Sequence, residues 1–446
     1  MAARVLETTE VHSGYDFSLS PFFLLPGYAG PRYHDFHHYN FDGNYAPTFK
    51  WWDYICGTDS DYKNFVKAQE ERKLKEVNSK IYYTTSELAE IRKNNRVPIG
   101  KEVTSKYSFV ITGGSGMVGK KLIKRLYEEG AKKITSLDIV ETPLNLRLQN
   151  VVYKKCDITD LTSLLESTKN HDVLIHMAAL VGPYYEKDAY SKVNYRGCIN
   201  VVEACKKNKI GVLVDCSSPS TRMTGEDILG EESSKLPYAE ENYVHEYART
   251  KALGEMEILK ANCQTLKTCA IAPHQIYGED DQLFMPNIIK AAYGGMLRIM
   301  GKGDNIVSFT HVENIAYALH VAANTLLEQS NPTCAGKFYV ATDGPAQYLW
   351  NAINDGCKIV GIQEIIKKKK IPQGLMMFIS YIAGAYNSIV GGKGKLNPFA
   401  ARMMMNNRYF SIKEIQRDLG YEPVVKFEEK WGESFRVVFE RVRKSN

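Results

Sequence analysis

Residues Tyr107–Gly119 read YSFVITGGSGMVG: an apolar run, Phe109-Val110-Ile111, ends in Thr112 and turns through Gly113, Gly114 and Gly116 into Met117, Val118 and Gly119. The amphipathic run Lys120 to Glu129 comes next, so the order is strand, glycine turn, helix. Glycines in such a turn let backbone N–H groups approach a pyrophosphate at the positive end of a helix. A glycine cluster alone is more often just a turn. Its weight here comes from the residues downstream of it.

Asp138 ends the next apolar stretch, Ile134 to Leu137, 19 positions after Gly119. A carboxylate at that distance holds a ribose 2′-OH and repels a 2′-phosphate, which makes NAD rather than NADP the expected cofactor. Strand-like runs then recur at Val151 to Lys155, Val173 to His176, Val212 to Asp215 and Leu266 to Ile271, with helical runs between them. That alternation predicts an α/β fold, a Rossmann-type doubly wound parallel sheet, with a smaller substrate-binding region in the C-terminal third and a short N-terminal extension. Farther along, Tyr247 and Lys251 sit one helical turn apart, on one face of a helix. A tyrosine titrates near pH 10 when free (about 10), so as a general base it needs a neighbouring cation. Ser217 and Ser218 follow the strand Val212 to Asp215, at the carboxyl end where open α/β sheets bind ligands, and either can hydrogen-bond a substrate oxygen. A Y-x-x-x-K pair by itself is an ordinary solvated helix face. Its order after the glycine turn selects hydride transfer on an alcohol.

The stretches TGGSGMVG at 112–119, DITD at 157–160, HMAALVGP at 176–183, VNYRGCINVVEAC at 193–205, CSSPS at 216–220, YARTK at 247–251, APHQIYG at 272–278 and FTHVENIA at 309–316 carry a resemblance. From about residue 106 to the C-terminus the chain resembles the extended short-chain dehydrogenases/reductases. Within them it is similar to the 3β-hydroxysteroid dehydrogenases, in particular the sterol-4α-carboxylate 3-dehydrogenase (decarboxylating) branch. The resemblance implies a catalytic set of Ser218 orienting a 3-hydroxyl, Tyr247 taking its proton, and Lys251 holding the nicotinamide ribose and lowering the tyrosine pKa. It implies a cofactor site of Gly113, Gly116, Met117, Val118, Gly119 and Asp138, with Asp157 and Ile158 beside the adenine, Ala178 and Ala179 beside the pyrophosphate and ribose, and Pro273 at the nicotinamide loop. Ala272-Pro273 stands where the family usually has Arg-Pro, so one polar contact near that loop is absent or supplied elsewhere.

The chain has 446 residues, 44% of them hydrophobic, enough for a sizeable core. A net charge of +6 without a basic stripe interleaved with aromatics argues against nucleic acid as a partner. Nine cysteines without C-x-x-C spacing, and no cleavable signal peptide at Met1, fit a reduced, cytosol-facing environment. Lys367 to Lys370 form a basic block, and the largely apolar stretch Gly374 to Val390 lies just beyond it. It is short and polar for a membrane span, so it reads as an interfacial helix drawn to anionic lipid or as a helix lining the substrate region. With the sterol branch, this places the protein on the cytosolic face of the endoplasmic reticulum membrane, beside other C4-demethylation enzymes.

Residues 1–65 are aromatic-rich and contain His12, His34, His37 and His38. Imidazoles in an H-x-x-H-H box suit iron or zinc. HSGYDF at 12–17 with HDFHHYNFDGNYAPTFKWWDYICGTD at 34–59 resembles the C-terminal end of C4-methylsterol monooxygenases of the fatty acid hydroxylase superfamily. The upstream histidine boxes of that family are missing, so no metal is expected in the site, and the segment reads as a truncated part of a fusion or as a non-catalytic appendage. Residues 66–105 read as a charged linker with some helix. Two rival functions share the fold: a nucleotide-sugar epimerase or reductase, and a non-catalytic NAD-binding scaffold for membrane sterol enzymes.

Overall fold

Seven strands form one all-parallel sheet: β1 (Ser108–Thr112), β2 (Lys133–Asp138), β3 (Val151–Lys155), β4 (Val173–His176), β5 (Val212–Cys216), β6 (Lys267–Pro273) and β7 (Lys337–Ala341). Their order across the sheet is 3-2-1-4-5-6-7. The chain winds outward from β1 to β3, then returns to the other side of β1 with β4. The crevice at this reversal, outside the carboxyl ends of the strands, is where open α/β sheets take ligands. The computed structural model describes residues 2–15, 17, 20–94, 101–182, 184–390 and 397–445 and divides into two units, Met1–Val77 and Asn78–Asn446. Met1, Asp16, Pro183 and residues 95–100 of the charged stretch lie outside the described residues.

In β1, Phe109 and Ile111 point to one face and Val110 to the other, and all three are fully buried. A strand covered on both sides reads as a continuous apolar run rather than an alternation. One face packs on helices Met117–Glu128 and Val312–Glu328 through Leu122, Leu126, Ile315 and Leu319. The other packs on helices Gly197–Lys207 and Glu246–Lys260 through Val201, Cys205 and Ile258. Burying each such side chain contributes about 1.5–3 kcal/mol. On this second face the register places Thr112, His176 and Asp215 side by side at the carboxyl ends of β1, β4 and β5. All three are buried, so a polar rung closes the apolar layer directly beneath the crevice.

The chain from Tyr277 onward builds a second core around Tyr277, Phe309, Trp350, Phe427, Trp431 and Phe435. Trp431 stacks on Phe427 at 5.0 Å, and its indole N–H donates to the Ala352 carbonyl at 2.8 Å. Helix Gln373–Val390 comes after Lys367–Lys370; it buries Met376 and Ser380 and exposes Leu375, Phe378, Tyr381, Ile382 and Tyr386. Among the described residues no helix is long and apolar enough to cross a membrane.

In the N-terminal unit, Asp53 is the organising group. It is buried, accepts the Tyr45 and Ala46 N–H groups at 2.8 and 2.9 Å, and also receives the Thr58 hydroxyl at 2.6 Å and the Tyr33 phenol at 3.1 Å. Burial alone would raise its pKa, but these hydrogen bonds win and hold the carboxyl below its ordinary value. The charged stretch is largely helical, in Ser60–Ile81, Thr85–Asn94 and Lys101–Thr104.

Candidate active site

The glycine turn has the shape its sequence suggests. Gly113 adopts a φ of +74°, and a Cβ there would lie 2.8 Å from the Ala178 nitrogen. A Cβ on Gly119 would lie 2.7 Å from the Gly114 Cα, so side chains are excluded on both sides of the turn. Gly116 caps helix Met117–Glu128 without a side-chain acceptor, leaving the amides of Met117, Val118 and Gly119 for an anion. Asp138 accepts the Ser115 N–H at 2.9 Å and the Val140 N–H at 3.0 Å, which ties the end of β2 to the turn. A carboxylate has about four acceptor sites, so capacity remains for a ribose hydroxyl. Asp157 is exposed and holds the Thr159 N–H at 2.8 Å, while Ile158 is buried beneath it. Ala178 and Ala179 line the half-buried segment after β4, and Pro273 ends β6 in the interior. These residues present two acceptors and a row of amides suited to a dinucleotide.

Helix Glu246–Lys260 begins at His245, whose Nδ1 accepts the Tyr247 N–H at 3.0 Å. Lys251, one turn later, is buried; its Nζ donates to the Cys216 carbonyl at 3.1 Å and lies 3.7 Å from Asp215 Oδ1. The two serines separate cleanly. Ser217 is buried and donates to Glu255 at 2.5 Å, whereas Ser218 is half-buried, receives the Ser220 hydroxyl at 2.9 Å and lies beside the Tyr247 phenol. Ser218 is thus the hydroxyl left for a ligand. Burial raises the Tyr247 pKa, and the Lys251 charge and the Ser218 hydroxyl pull it back only in part. The lysine acts in the expected direction, but the net shift is upward because the phenol has lost water. For Lys251 itself, burial opposes the charge and the Asp215 carboxylate outweighs it, so its pKa is raised. Asp215 is pushed up to about 6 by burial, against the pull of Lys251.

Several residues that shape this site were assigned no role in the sequence. Asn194, in a π-helical turn Ser191–Arg196, clamps the loop after β4: its Oδ1 accepts the Leu180 N–H at 2.8 Å and its Nδ2 donates to the Leu180 carbonyl at 3.0 Å. Such turns interrupt helices mostly at functional sites. Tyr190 receives the Tyr184 N–H at 3.0 Å and donates to the Gly182 carbonyl, with its ring 6.3 Å from that of Tyr247. Glu255, fully buried, receives Ser217, Tyr238 at 2.6 Å and Arg222 at 2.6 Å. The sequence signal for Glu255 was its place one turn after Lys251. Ala272 packs into an apolar cluster with Phe338, Val340 and Phe410, and two buried arginines flank it: Arg222 stacks on Phe338 at 4.1 Å, and Arg408 reaches His274 at 2.9 Å.

In the N-terminal unit, His12, His34 and His38 converge, with Nε2 separations of 3.0 Å (His12–His34) and 3.1 Å (His38–His34). His12 Nδ1 is held by the Thr8 carbonyl at 2.8 Å, while His37 turns away to the Gly43 carbonyl at 2.9 Å. Tetrahedral nitrogens around zinc sit about 3.3 Å apart, so the three imidazoles fit one divalent ion. A two-iron centre needs more ligands than this set supplies.

The sheet order, the glycine turn at a helix N-terminus and the Ser218, Tyr247 and Lys251 cluster define an α/β protein of the short-chain dehydrogenase/reductase type. Residues 110–366 match the 3-beta hydroxysteroid dehydrogenase/isomerase family, and the chain belongs to that family of oxidoreductases. Residues 1–58 match the fatty acid hydroxylase family. A 2-alkyl-3-oxoalkanoate reductase from Shewanella oneidensis is 29% identical over 328 residues, covering 72% of this chain and 83% of that protein. The 3beta-hydroxysteroid-dehydrogenase/decarboxylase isoform 1 of Arabidopsis thaliana is 31% identical over 341 residues, covering 72% and 77%. Among solved structures, the dTDP-glucose 4,6-dehydratase DesIV from Streptomyces venezuelae, with NAD and TYD bound, has a TM-score of 0.58 at 17% identity, covering 75% of this chain and 97% of that one. At that identity the likeness is one of fold.

Proposed function

We propose that the chain uses NAD to oxidise the 3β-hydroxyl of a 4α-carboxysterol, with loss of the C4 carboxylate. The observation that carries the reading is the buried Lys251 ammonium, held at the Cys216 carbonyl beside the half-buried Tyr247 and Ser218, at the carboxyl end of β5. NAD, when bound, supplies the acceptor for the hydride leaving C3. Met117, Val118 and Gly119 offer amides to its phosphates, and Asp138 offers acceptors to its ribose. Ser218 orients the substrate hydroxyl while Tyr247 takes its proton. Because burial favours the neutral phenol, oxidation gains with rising pH, and the protonated phenol suits the reverse reduction.

The product of that step is a ketone beside a carboxylate. The C4–carboxylate bond then breaks, CO₂ departs, and the electron pair moves onto the C3 oxygen as an enolate, which the Ser218 hydroxyl and the newly protonated Tyr247 stabilise. Protonation at C4 completes the ketone. A 3-hydroxy-4-carboxysterol is itself a 2-alkyl-3-hydroxy acid. The names of the two relatives therefore describe neighbouring chemistry, and the bacterial one favours reduction of a 2-alkyl-3-oxo acid as the second reading. The exposed apolar side of helix Gln373–Val390, next to Lys367–Lys370, suits the headgroup boundary of an anionic membrane such as the cytosolic face of the endoplasmic reticulum, where a sterol is drawn from the bilayer. The fatty acid hydroxylase match supports a neighbouring oxygenation step that makes the carboxylate.

The test supplies a 3β-hydroxy-4α-carboxysterol with NAD and measures NADH and CO₂ together. Near-equal yields are expected, and Tyr247→Phe should lower both rates about 100-fold or more while NAD still binds. CO₂ release without NAD, or NADH formed only with nucleotide sugars, overturns the reading.

A further inference from the structure

We infer that Asp215 is a positioning residue that anchors Lys251 from beneath the site and, by offsetting its charge, sets the proton affinity of Tyr247. This deepens the dehydrogenase reading and rests on it. Asp215 lies on β5 two residues after Leu213, whose side chain shares its face and packs among apolar neighbours. By its neighbours alone, this place would suit an apolar residue. A buried carboxylate is costly unless it is paired. Both carboxylate oxygens are buried and lack a hydrogen-bond partner; at 3.7 Å, Lys251 is the one cation within ion-pair distance among the described residues. Lys251 is thus gripped from two successive β5 residues, by the Asp215 carboxylate and the Cys216 carbonyl.

The other groups facing Asp215 leave that role to it. From β4, His176 is pushed down to about 3 by burial and by Lys251; its Nδ1 pairs with the Thr112 hydroxyl at 2.7 Å and its Nε2 with the Cys198 thiol at 3.4 Å. The Cys198 and Cys216 thiols are pushed up to about 12 by burial. All three are therefore neutral near pH 7. From the helix, Glu255 is committed to Arg222, Ser217 and Tyr238, and Tyr247 is the group whose proton is at issue. The balance is then local: the Lys251 charge draws the phenol toward ionisation, and the Asp215 charge opposes it. Removing the Asp215 charge has two consequences of definite sign. Tyr247 should ionise at lower pH, and Lys251, buried and left with the Cys216 carbonyl as its partner, should lose its proton more easily.

Asp215→Asn, which keeps the shape, tests both, with Asp215→Glu as the variant that keeps the charge. The first readout is competitive labelling of Lys251 by acetic anhydride between pH 7 and 10, with the labelled peptides quantified by mass spectrometry, and it needs no turnover. Asp215→Asn should raise labelling at pH 8 several-fold, and Asp215→Glu should restore the wild-type value. The second is the pH dependence of sterol oxidation, whose tyrosine-controlled limb should move to lower pH by about one unit in Asp215→Asn. Unchanged labelling, or a uniform loss of rate with the limb in place, overturns the inference. Failure of the parent reading looks different: Tyr247→Phe would retain the rate and the limb, whereas the labelling result would stand.

Discussion

Glu255→Ala removes the acceptor that fixes the strand-end turn to the helix bearing Tyr247 and Lys251. Glu255 is fully buried, and its carboxylate takes the Arg222 guanidinium at 2.6 Å, the Tyr238 phenol at 2.6 Å and the Ser217 hydroxyl at 2.5 Å. Arg222 cannot swing out to water, because it is sandwiched between the Tyr238 ring at 3.7 Å and the Phe338 ring at 4.1 Å. Removing one partner of such a buried pair costs about 3–5 kcal/mol, chiefly because the other charge is left unpaired. At an unfolding entropy of about 2.1 cal/mol/K per residue over the larger unit, roughly 370 residues, that loss corresponds to a fall in Tm of about 4–6 °C. Differential scanning calorimetry measures it. Replacing Arg222 by Met in the same chain should recover more than half of the loss, since no unpaired charge then remains. A single variant costing under about 1 kcal/mol, or a double variant whose cost equals the sum of the singles, refutes the reasoning.

Two further outcomes are expected. NADP should be used less efficiently than NAD, and Asp138→Ala should narrow the gap by removing the carboxylate that meets a 2′-phosphate; equal efficiency in the unaltered chain counts against Asp138 as the ribose ligand. Phe378→Glu with Ile382→Glu, at positions 63% and 55% exposed, should leave the fold intact yet lower co-sedimentation with anionic vesicles about tenfold or more, while neutralising Lys367–Lys370 should matter less at high salt; binding unaffected by either change removes the membrane reading.

The centre of the sheet was legible because β1, β4 and β5 are covered on both faces and read as short apolar runs between helical stretches, whereas the edge strand β3 is largely exposed and β7 was not picked out. The glycine turn was legible for a steric reason: at Gly113 the backbone conformation and the nearness of Ala178 both exclude a side chain. Strand position alone could not tell Ser217 from Ser218, since adjacent residues at a strand end differ only in which way they point, and it was the family resemblance that singled out Ser218. Asn194 lies in the VNYRGCINVVEAC stretch, but its role was hidden because its work is done across 14 residues, on the Leu180 backbone. Asp215 read simply as the end of a strand, and Glu255 and Arg222 drew no reading at all. A charged letter is normally a solvated side chain, and only the packing of helix Glu246–Lys260 onto the end of β5 takes these three out of water.

That packing gives the four buried groups a common logic. Asp215 and Arg222 belong to the strand end and the turn after it; Lys251 and Glu255 lie one turn apart on the helix. Each acid on one element faces a base on the other, Asp215 with Lys251 and Glu255 with Arg222, so two acids and two bases cross-link the same pair of elements in opposite polarity. Sliding or rotating the helix against the strand end would separate both pairs at once and leave four charged groups in a dry interior. Ser218 rides on the turn between Asp215 and Arg222, and Tyr247 precedes Lys251 by one helical turn. The hydroxyl and the phenol are therefore held at a fixed separation by the cost of unpairing the charges beneath them, and a geometry of this kind depends on Asp215, Arg222 and Glu255 as well as on the Y-x-x-x-K pair.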